Sequence, residues 1–221
     1  MNDSTASSAP FRVGEWLPSD QQALDAWLQQ LIEEVDPTAE LHPVVDELRQ
    51  LIETDPQLYM LFDQMFSQVP TRPPYDKSPD GKPQVRDYRL MLQLINAIMT
   101  RAPEFNKTGL VGFPINAILD WSMATPSGFA AFLNPKLNLQ LKKVLNEWGR
   151  FLASPDSRYV LNEYPPTGWL SPEAKEAMGF DDFKSDPSQP YAGFRSWDDF
   201  LLVGSRTVGG RSPNRATTPS W

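Results

Sequence analysis

Few side chains in this 221-residue chain could carry out chemistry. It has no cysteine, which excludes disulfides, thiolate metal sites and thiol nucleophiles. It has one histidine, His42. A Ser-His-Asp triad could use only that residue, and a multi-histidine zinc site cannot be built. His42 stands just before Pro43 at the expected start of a helix, where it reads as a surface cap. The carboxylates Asp181/Asp182 and Asp198/Asp199 are adjacent in sequence. Neighbours on a helix do not share a face, so these are poor acid–base pairs and read as caps and solvated charge. There is no G-x-x-x-x-G-K-S/T loop, no G-x-G-x-x-G following a strand and no H-E-x-x-H. Trp16, Trp27, Trp121, Trp148, Trp169 and Trp197 are scattered without basic interleaving, so they form no stacking platform for bases. A small-molecule pocket using Trp121, Trp148 and Trp169 is one use for such rings, with core packing as the default. Neither catalytic residues nor cofactor- or metal-binding residues are visible.

Charge narrows the partners. The formal net charge is −8, and it is unevenly placed. Residues 1–70 hold 13 acidic and 2 basic residues, and residues 71–221 hold 15 and 18. The acidic third argues against nucleic acid or an anionic membrane as partner, because phosphate attraction needs clustered Lys and Arg. No apolar run approaches the roughly 18 residues needed to span a bilayer. The N-terminus, MNDSTASSAP, has neither a basic n-region nor an apolar h-region. The expectation is a cytoplasmic protein without a transmembrane segment.

The elements that must position any site are helical by pattern. Ser19 with Gln22 forms a capping box, followed by the apolar stripe Leu24, Trp27, Leu28, Leu31 and Val35. Further helices are expected from Pro43, from Pro56 and over Val85–Thr100, the last broad enough in apolar face to be buried on more than one side. A short apolar helix follows over Ile115–Met123. The longest helical pattern starts at Asn134-Pro135, with Leu137, Leu141, Val144, Leu145, Trp148 and Leu152 on one face. Of the 22 prolines, those after Asp55, Thr125, Asn134, Ser154 and Ser171 are helix-start signals, since a cap followed by proline at the first helical position costs no hydrogen bond. Pro70–Gln84 contains five prolines and one glycine and reads as an exposed loop. Ser196 with Asp199 opens a last capped helix. From Val203 the composition shifts to Gly, Ser, Thr, Arg and Pro, the signature of a tail. The expected fold class is all-α: an irregular multi-helix domain of proline-capped helices, with a long proline-rich loop near 70–84 and disordered termini.

From Thr125 onward the residues resemble a known family. The matching segments are Asp55-Pro56 through Met65-Phe66, Met91 through Ala102-Pro103, Thr125 through Phe132, and Leu137 through Ser157-Arg158. They continue with Gly168-Trp169-Leu170, Pro190-Tyr191-Ala192-Gly193-Phe194 and Ser196-Trp197-Asp198-Asp199-Phe200. Over roughly Trp16 to Phe200 the chain is similar to the helical N-terminal domain of fungal phosphatidylserine-decarboxylase-like proteins, a group that includes L-tryptophan decarboxylase.

The resemblance implies three regions: a disordered lead over 1–14, a helical decarboxylase-associated domain over 15–202 and a disordered tail over 203–221. In full-length relatives a second, β-rich domain cleaves itself at a Gly-Ser pair. It is left with a pyruvoyl group that serves as the electron sink for decarboxylation. Gly204-Ser205 matches that dipeptide superficially, but Arg206 follows it and only 16 residues remain. The resemblance therefore implies no cofactor in this chain. Two functions follow from it. One is a non-catalytic accessory or interaction domain that packs on a decarboxylase catalytic domain or subunit. The other is a fragment of a pyruvoyl-dependent L-tryptophan or phosphatidylserine decarboxylase, shortened by an unremoved intron or a shifted frame. Trp169, Tyr191, Phe194, Trp197, Asp198 and Phe200 are the candidate interface.

Overall fold

The computed structural model describes residues 21–68, 85–106 and 114–208. The expected lead, the Ser19 cap, the proline-rich loop and the tail beyond 208 lie outside the described residues. Among the described residues all regular structure is helical. The helices are α1 (Gln21–Glu34), α2 (Pro43–Thr54), α3 (Pro56–Gln68), α4 (Tyr88–Ile98), α5 (Pro114–Met123), α6 (Pro126–Phe132), α7 (Pro135–Leu152), α8 (Pro172–Met178) and α9 (Trp197–Val208). A 3-10 helix covers Pro155–Val160, and shorter 3-10 turns cover Phe180–Asp182 and Pro190–Gly193.

The cap-proline signals act as their chemistry dictates. Asp55 Oδ1 accepts the N–H groups of Gln57 and Leu58, at 3.1 and 3.3 Å. Thr125 Oγ1 accepts from Gly128 N at 3.0 Å, and Ser171 Oγ from Ala174 N at 3.2 Å. Asn134 Oδ1 accepts from Lys136 N at 2.9 Å. Each satisfies donors that a helix start otherwise leaves bare. Ser154-Pro155 differs, because it opens a 3-10 helix rather than an α-helix. The Ser154 hydroxyl donates backwards to Phe151 O at 2.7 Å and makes no cap bond to the residues that follow. Helix α4 begins at Tyr88 instead of Val85 because Asp87 Oδ1 caps Leu90 N at 2.8 Å. Helix α9 continues to Val208, past the composition change at Val203.

The chain forms two compact units. The first comprises Met1–Pro103 and Thr108–Trp148, the second Glu104–Lys107 and Gly149–Trp221. In the first, α3 packs against α2, α4, α5 and α6, and α5 also meets α1, α4 and α6. Leu48, Ile52, Leu58, Phe62, Met65, Met91, Leu92, Leu94, Ile95, Ile98 and Leu137 are almost wholly buried. Each such side chain contributes about 1.5–3 kcal/mol relative to exposure. Helix α7 buries Leu137, Val144, Trp148 and Leu152, but Leu145 is 48% exposed. At 100° per residue Leu145 falls off the seam that runs through Val144 and Trp148. In the second unit α9 packs against the 3-10 helix Pro155–Val160 and against the turn Phe180–Asp182, which also meets α8.

Candidate functional site

The second unit holds the residues singled out as an interface. Four of the six, Trp169, Phe194, Trp197 and Phe200, are 4% exposed or less. They join one aromatic cluster with Phe105, Phe180 and Phe183. Trp169 stands 5.5 Å from both Phe105 and Phe200 and 6.5 Å from Trp197, and Phe194 stands 5.2 Å edge-on from Phe200. Phe183 lies between Phe180 at 4.9 Å and Phe200 at 5.7 Å. Edge-to-face and offset contacts of this kind add about 0.5–1.5 kcal/mol per pair beyond area burial. Asp198 is half-buried in the first turn of α9, and Tyr191 is 38% exposed.

Polar bonds fix this cluster. Ser157, fully buried, shares its one hydroxyl proton between Leu152 O and Ser154 O at 2.8 Å each, and its hydroxyl oxygen accepts from Trp197 N at 2.9 Å. Ser196 Oγ caps Asp199 N at 3.0 Å. Asp199 in turn accepts from Arg195 N and from the Nε and Nη2 of its guanidinium, at 3.0 to 3.3 Å. Those bonds hold the Asp199 carboxyl below its ordinary range. The adjacent carboxylate Asp199 is therefore a cap and an ion-pair partner. Ser157→Ala is expected to destabilise the protein by about 1–3 kcal/mol, because it strands the buried Trp197 N–H without an acceptor. Urea denaturation of the two proteins checks this. A loss below about 0.5 kcal/mol would show that the Trp197 N–H finds another partner.

The loop before α9 is strained. Tyr191 (φ 56°, ψ 30°) and Ala192 (φ 53°, ψ 27°) are both left-handed, and Gly193 (φ 84°) follows. A left-handed conformation costs an L-residue about 1–2 kcal/mol. Four backbone bonds hold the loop in place. Asp186 N donates to Ala192 O, Gln189 N to Asp186 O, Ala192 N to Gln189 O and Phe194 N to Tyr191 O, all within 2.9 to 3.1 Å. The Asp186 carboxyl takes the Ser188 N–H and hydroxyl, which keep it ionised below the usual range. Buried Phe194 anchors one end. The loop thus presents the Tyr191 ring, with the Arg158 guanidinium 4.8 Å from its centroid.

In the first unit these ion pairs lie at the surface: Arg49 with Asp46 and Glu53, Arg101 with Glu34, Lys136 with Asp55, Lys143 with Glu47. His42 caps α2, its Nδ1 accepting from Val44 N at 3.4 Å, while its own N–H donates to Asn96 Oδ1 at 2.7 Å. Trp148 Nε1 donates to Arg101 O at 2.9 Å from a buried position. Trp121 and Trp148 belong to this unit and Trp169 to the other.

Asp120 stands apart. It lies in the apolar run of α5, is 6% exposed, and its Oδ2 has no hydrogen-bond partner. Burial alone pushes its carboxyl up to about 7. Raised carboxyl pKa values of this kind are a property of catalytic acids, but a proton-transfer group must also reach a substrate. Asp120 is enclosed by packed helices and has no ion pair among the described residues. The sequence signal for it was present, a lone charge within Ile115–Met123, but periodicity alone does not say that the charge points inward. Among the described residues no group of three or more His, Cys, Asp and Glu side chains could hold a metal ion. Among them, too, no helix is long and apolar enough to cross a membrane.

Comparison with known proteins adds an independent line. The phosphatidylserine decarboxylase family model matches residues 42–178, from the cap of α2 to the last residue of α8. An L-tryptophan decarboxylase of Psilocybe cubensis is 34% identical over 169 residues, 71% of this chain and 35% of the relative. An L-tryptophan decarboxylase of Psilocybe cyanescens is 30% identical over 212 residues, 88% of this chain and 45% of the relative. A decarboxylase of Amanita muscaria is 32% identical over 98 residues, 41% of this chain and 28% of the relative. The chain spans less than half the length of each of these relatives.

Proposed function

The chain belongs to the phosphatidylserine decarboxylase family, and from that premise we propose that its helical region is a non-catalytic accessory domain. It packs on a decarboxylase catalytic domain or subunit in the cytoplasm and shapes access to it. One observation supports this reading above others. Across the matched residues, several described side chains with acid–base or nucleophilic capacity serve as helix caps or ion-pair partners, and Asp120 is closed inside packed helices. Such an arrangement builds a rigid surface and leaves the reacting atoms to another part of the enzyme.

The chemistry is testable on the purified chain. Its mass, 25.0 kDa, is expected to stay intact on prolonged incubation, and the chain is expected to be inert to carbonyl-directed reagents. A fragment cut at Gly204-Ser205, or a product trapped by such a reagent, would overturn the non-catalytic reading.

A second reading draws on the coverage of the relatives, 35% and 45% of their lengths. In it the chain is one part of a pyruvoyl-dependent decarboxylase of the L-tryptophan or phosphatidylserine type. The family's pyruvoyl group would supply the electron sink for loss of CO2, and the helices here would support that domain from outside. Sequencing the transcript beyond the codon for Phe200 separates the two readings. A frame that runs into a Gly-Ser-containing, β-rich domain favours the second, and an in-frame stop after Trp221 favours the first.

A further inference from the structure

We propose that Arg158 and Tyr191 form a binding site for a single carboxylate, carried by a small free acid or by an acidic side chain of a protein. The inference stands on the geometry of the second unit and does not rest on the accessory-domain reading. Arg158 projects from the 3-10 helix Pro155–Val160, and two contacts fix its guanidinium. Its Nε donates to Pro155 O at 2.9 Å, and its Cζ lies 4.8 Å from the centroid of the Tyr191 ring. The Nη edge, with four N–H donors, is bonded to nothing among the described residues.

In this Arg158 differs from six other cations of the described residues. Arg49, Arg101, Lys136, Lys143, Lys175 and Arg195 each have a carboxylate within 3.2 Å. Asp156, two residues earlier on the same turn, makes no ion pair with Arg158. A guanidinium set over an aromatic ring, with one edge free, matches the two oxygens of a carboxylate.

The backbone indicates that Tyr191 is held there for a reason beyond packing. Two consecutive non-glycine residues are left-handed although Gly193 is the next residue. Their result is a ring 38% exposed, not a buried one. Strain retained to display an exposed ring is the pattern of a recognition site. Half-buried Arg158 and exposed Tyr191 leave the carboxylate an approach from solvent. One guanidinium edge suits a monoanion. A phosphate dianion would need a second cation, and among the described residues no cation but Arg158 lies over the Tyr191 ring. The chain's net charge of −8 likewise disfavours a polyanionic surface.

The test is a titration of the full-length, isotope-labelled protein followed by NMR at the Arg158 Nε–Hε and Tyr191 amide signals. Three probes are used: N-acetylglycine, a blocked glutamate-containing heptapeptide and inorganic phosphate. N-acetylglycine is expected to give saturable shifts with a dissociation constant on the order of millimolar. Tighter binding of the peptide assigns the site to an acidic protein segment, and equal or weaker binding assigns it to a free acid. Arg158→Lys, which keeps the charge and loses the fork, is expected to weaken binding at least about fivefold. Arg158→Gln is expected to abolish it. Tyr191→Gly relaxes the left-handed backbone, so it is expected to raise the melting temperature while weakening binding. Arg89→Gln is the control and leaves binding unchanged. Arg89 also stacks on a tyrosine, Tyr88, whose phenol already meets Glu53 at 3.2 Å. The proposal is overturned if neither carboxylate probe saturates, if phosphate saturates and the carboxylates do not, or if Arg158→Lys and Tyr191→Gly bind like the parent.

Discussion

Asp120→Asn is expected to stabilise the protein at pH 8 and to do so far less at pH 5. The carboxyl is raised from 3.8 to about 7 by burial alone, so the folded protein keeps a proton that the unfolded chain has already lost. Between those two values the native state binds more protons than the unfolded state. Stability from this group is therefore fully present below pH 4, falls as pH rises, and levels off above about 7. A shift of that size corresponds to roughly 4 kcal/mol. The asparagine keeps the shape and cannot ionise, but it leaves amide donors buried at a cost of about 1–3 kcal/mol. The net gain at pH 8 is then about 1–3 kcal/mol.

Asp36, Asp46, Glu47, Asp55, Asp186 and Asp199 act in the opposite sense. Hydrogen bonds and, for most of them, ion pairs lower their pKa values, so they favour the fold above their unfolded range and lose that contribution in acid. Denaturant unfolding of parent and variant across pH 4.5–8.5 measures the difference directly. Parallel curves would mean that Asp120 is not held neutral in the fold.

Gly128→Ala is expected to destabilise the first unit by more than about 4 kcal/mol, the range reserved for changes the structure cannot relax around. A Cβ at this position would lie 1.9 Å from Ser122 O, 2.8 Å from Ser122 C and 2.9 Å from Met123 Cα. All three are backbone atoms, so no side-chain rotation relieves the clash. The bonds that close this corner would open with it. Thr125 Oγ1 donates to Ser122 O at 2.7 Å and accepts from Gly128 N at 3.0 Å. Helix α6 would move off the end of α5 and off α3, where Ser127 meets Gln64 and Gln68 at 2.9 to 3.1 Å. Gly149 in α7 is the natural control, since a Cβ there meets nothing within 4 Å. Gly149→Ala removes a helix-interior glycine and is expected to stabilise by about 0.5–1 kcal/mol. If the two substitutions had effects of similar size and sign, the close approach of α6 to α5 would be wrong.

The fold was legible wherever local chemistry decides it. A side-chain acceptor followed by proline fixes a helix start through two or three bonds within four residues, so α2, α3, α6, α7 and α8 were read to within a residue. Ser154-Pro155 was not, because the Ser154 hydroxyl turns back to Phe151 O, and composition does not encode that choice. Leu145 illustrates the limit of periodicity: the stripe was right, and the leucine at its edge faces solvent. The aromatic cluster was legible as a set of residues and not as a geometry. Trp169, Phe194, Trp197 and Phe200 come from three separate stretches, and only folding shows that they are buried together while Tyr191 is exposed. Asp120, Arg158 and the left-handed pair depend on burial, a long-range contact and backbone dihedrals, none of which a single sequence states.

Docking on a decarboxylase, in place of catalysing the reaction itself, is the proposed function of this family member. The direct measurement is sedimentation of the full chain mixed with the part of the Psilocybe cubensis L-tryptophan decarboxylase that lies outside the matched region, together with its decarboxylase activity. An equimolar complex, a change in that activity on adding the chain, and no activity from the chain alone are the expected results. Independent sedimentation of the two with unchanged activity, or decarboxylation by the chain alone, would contradict it.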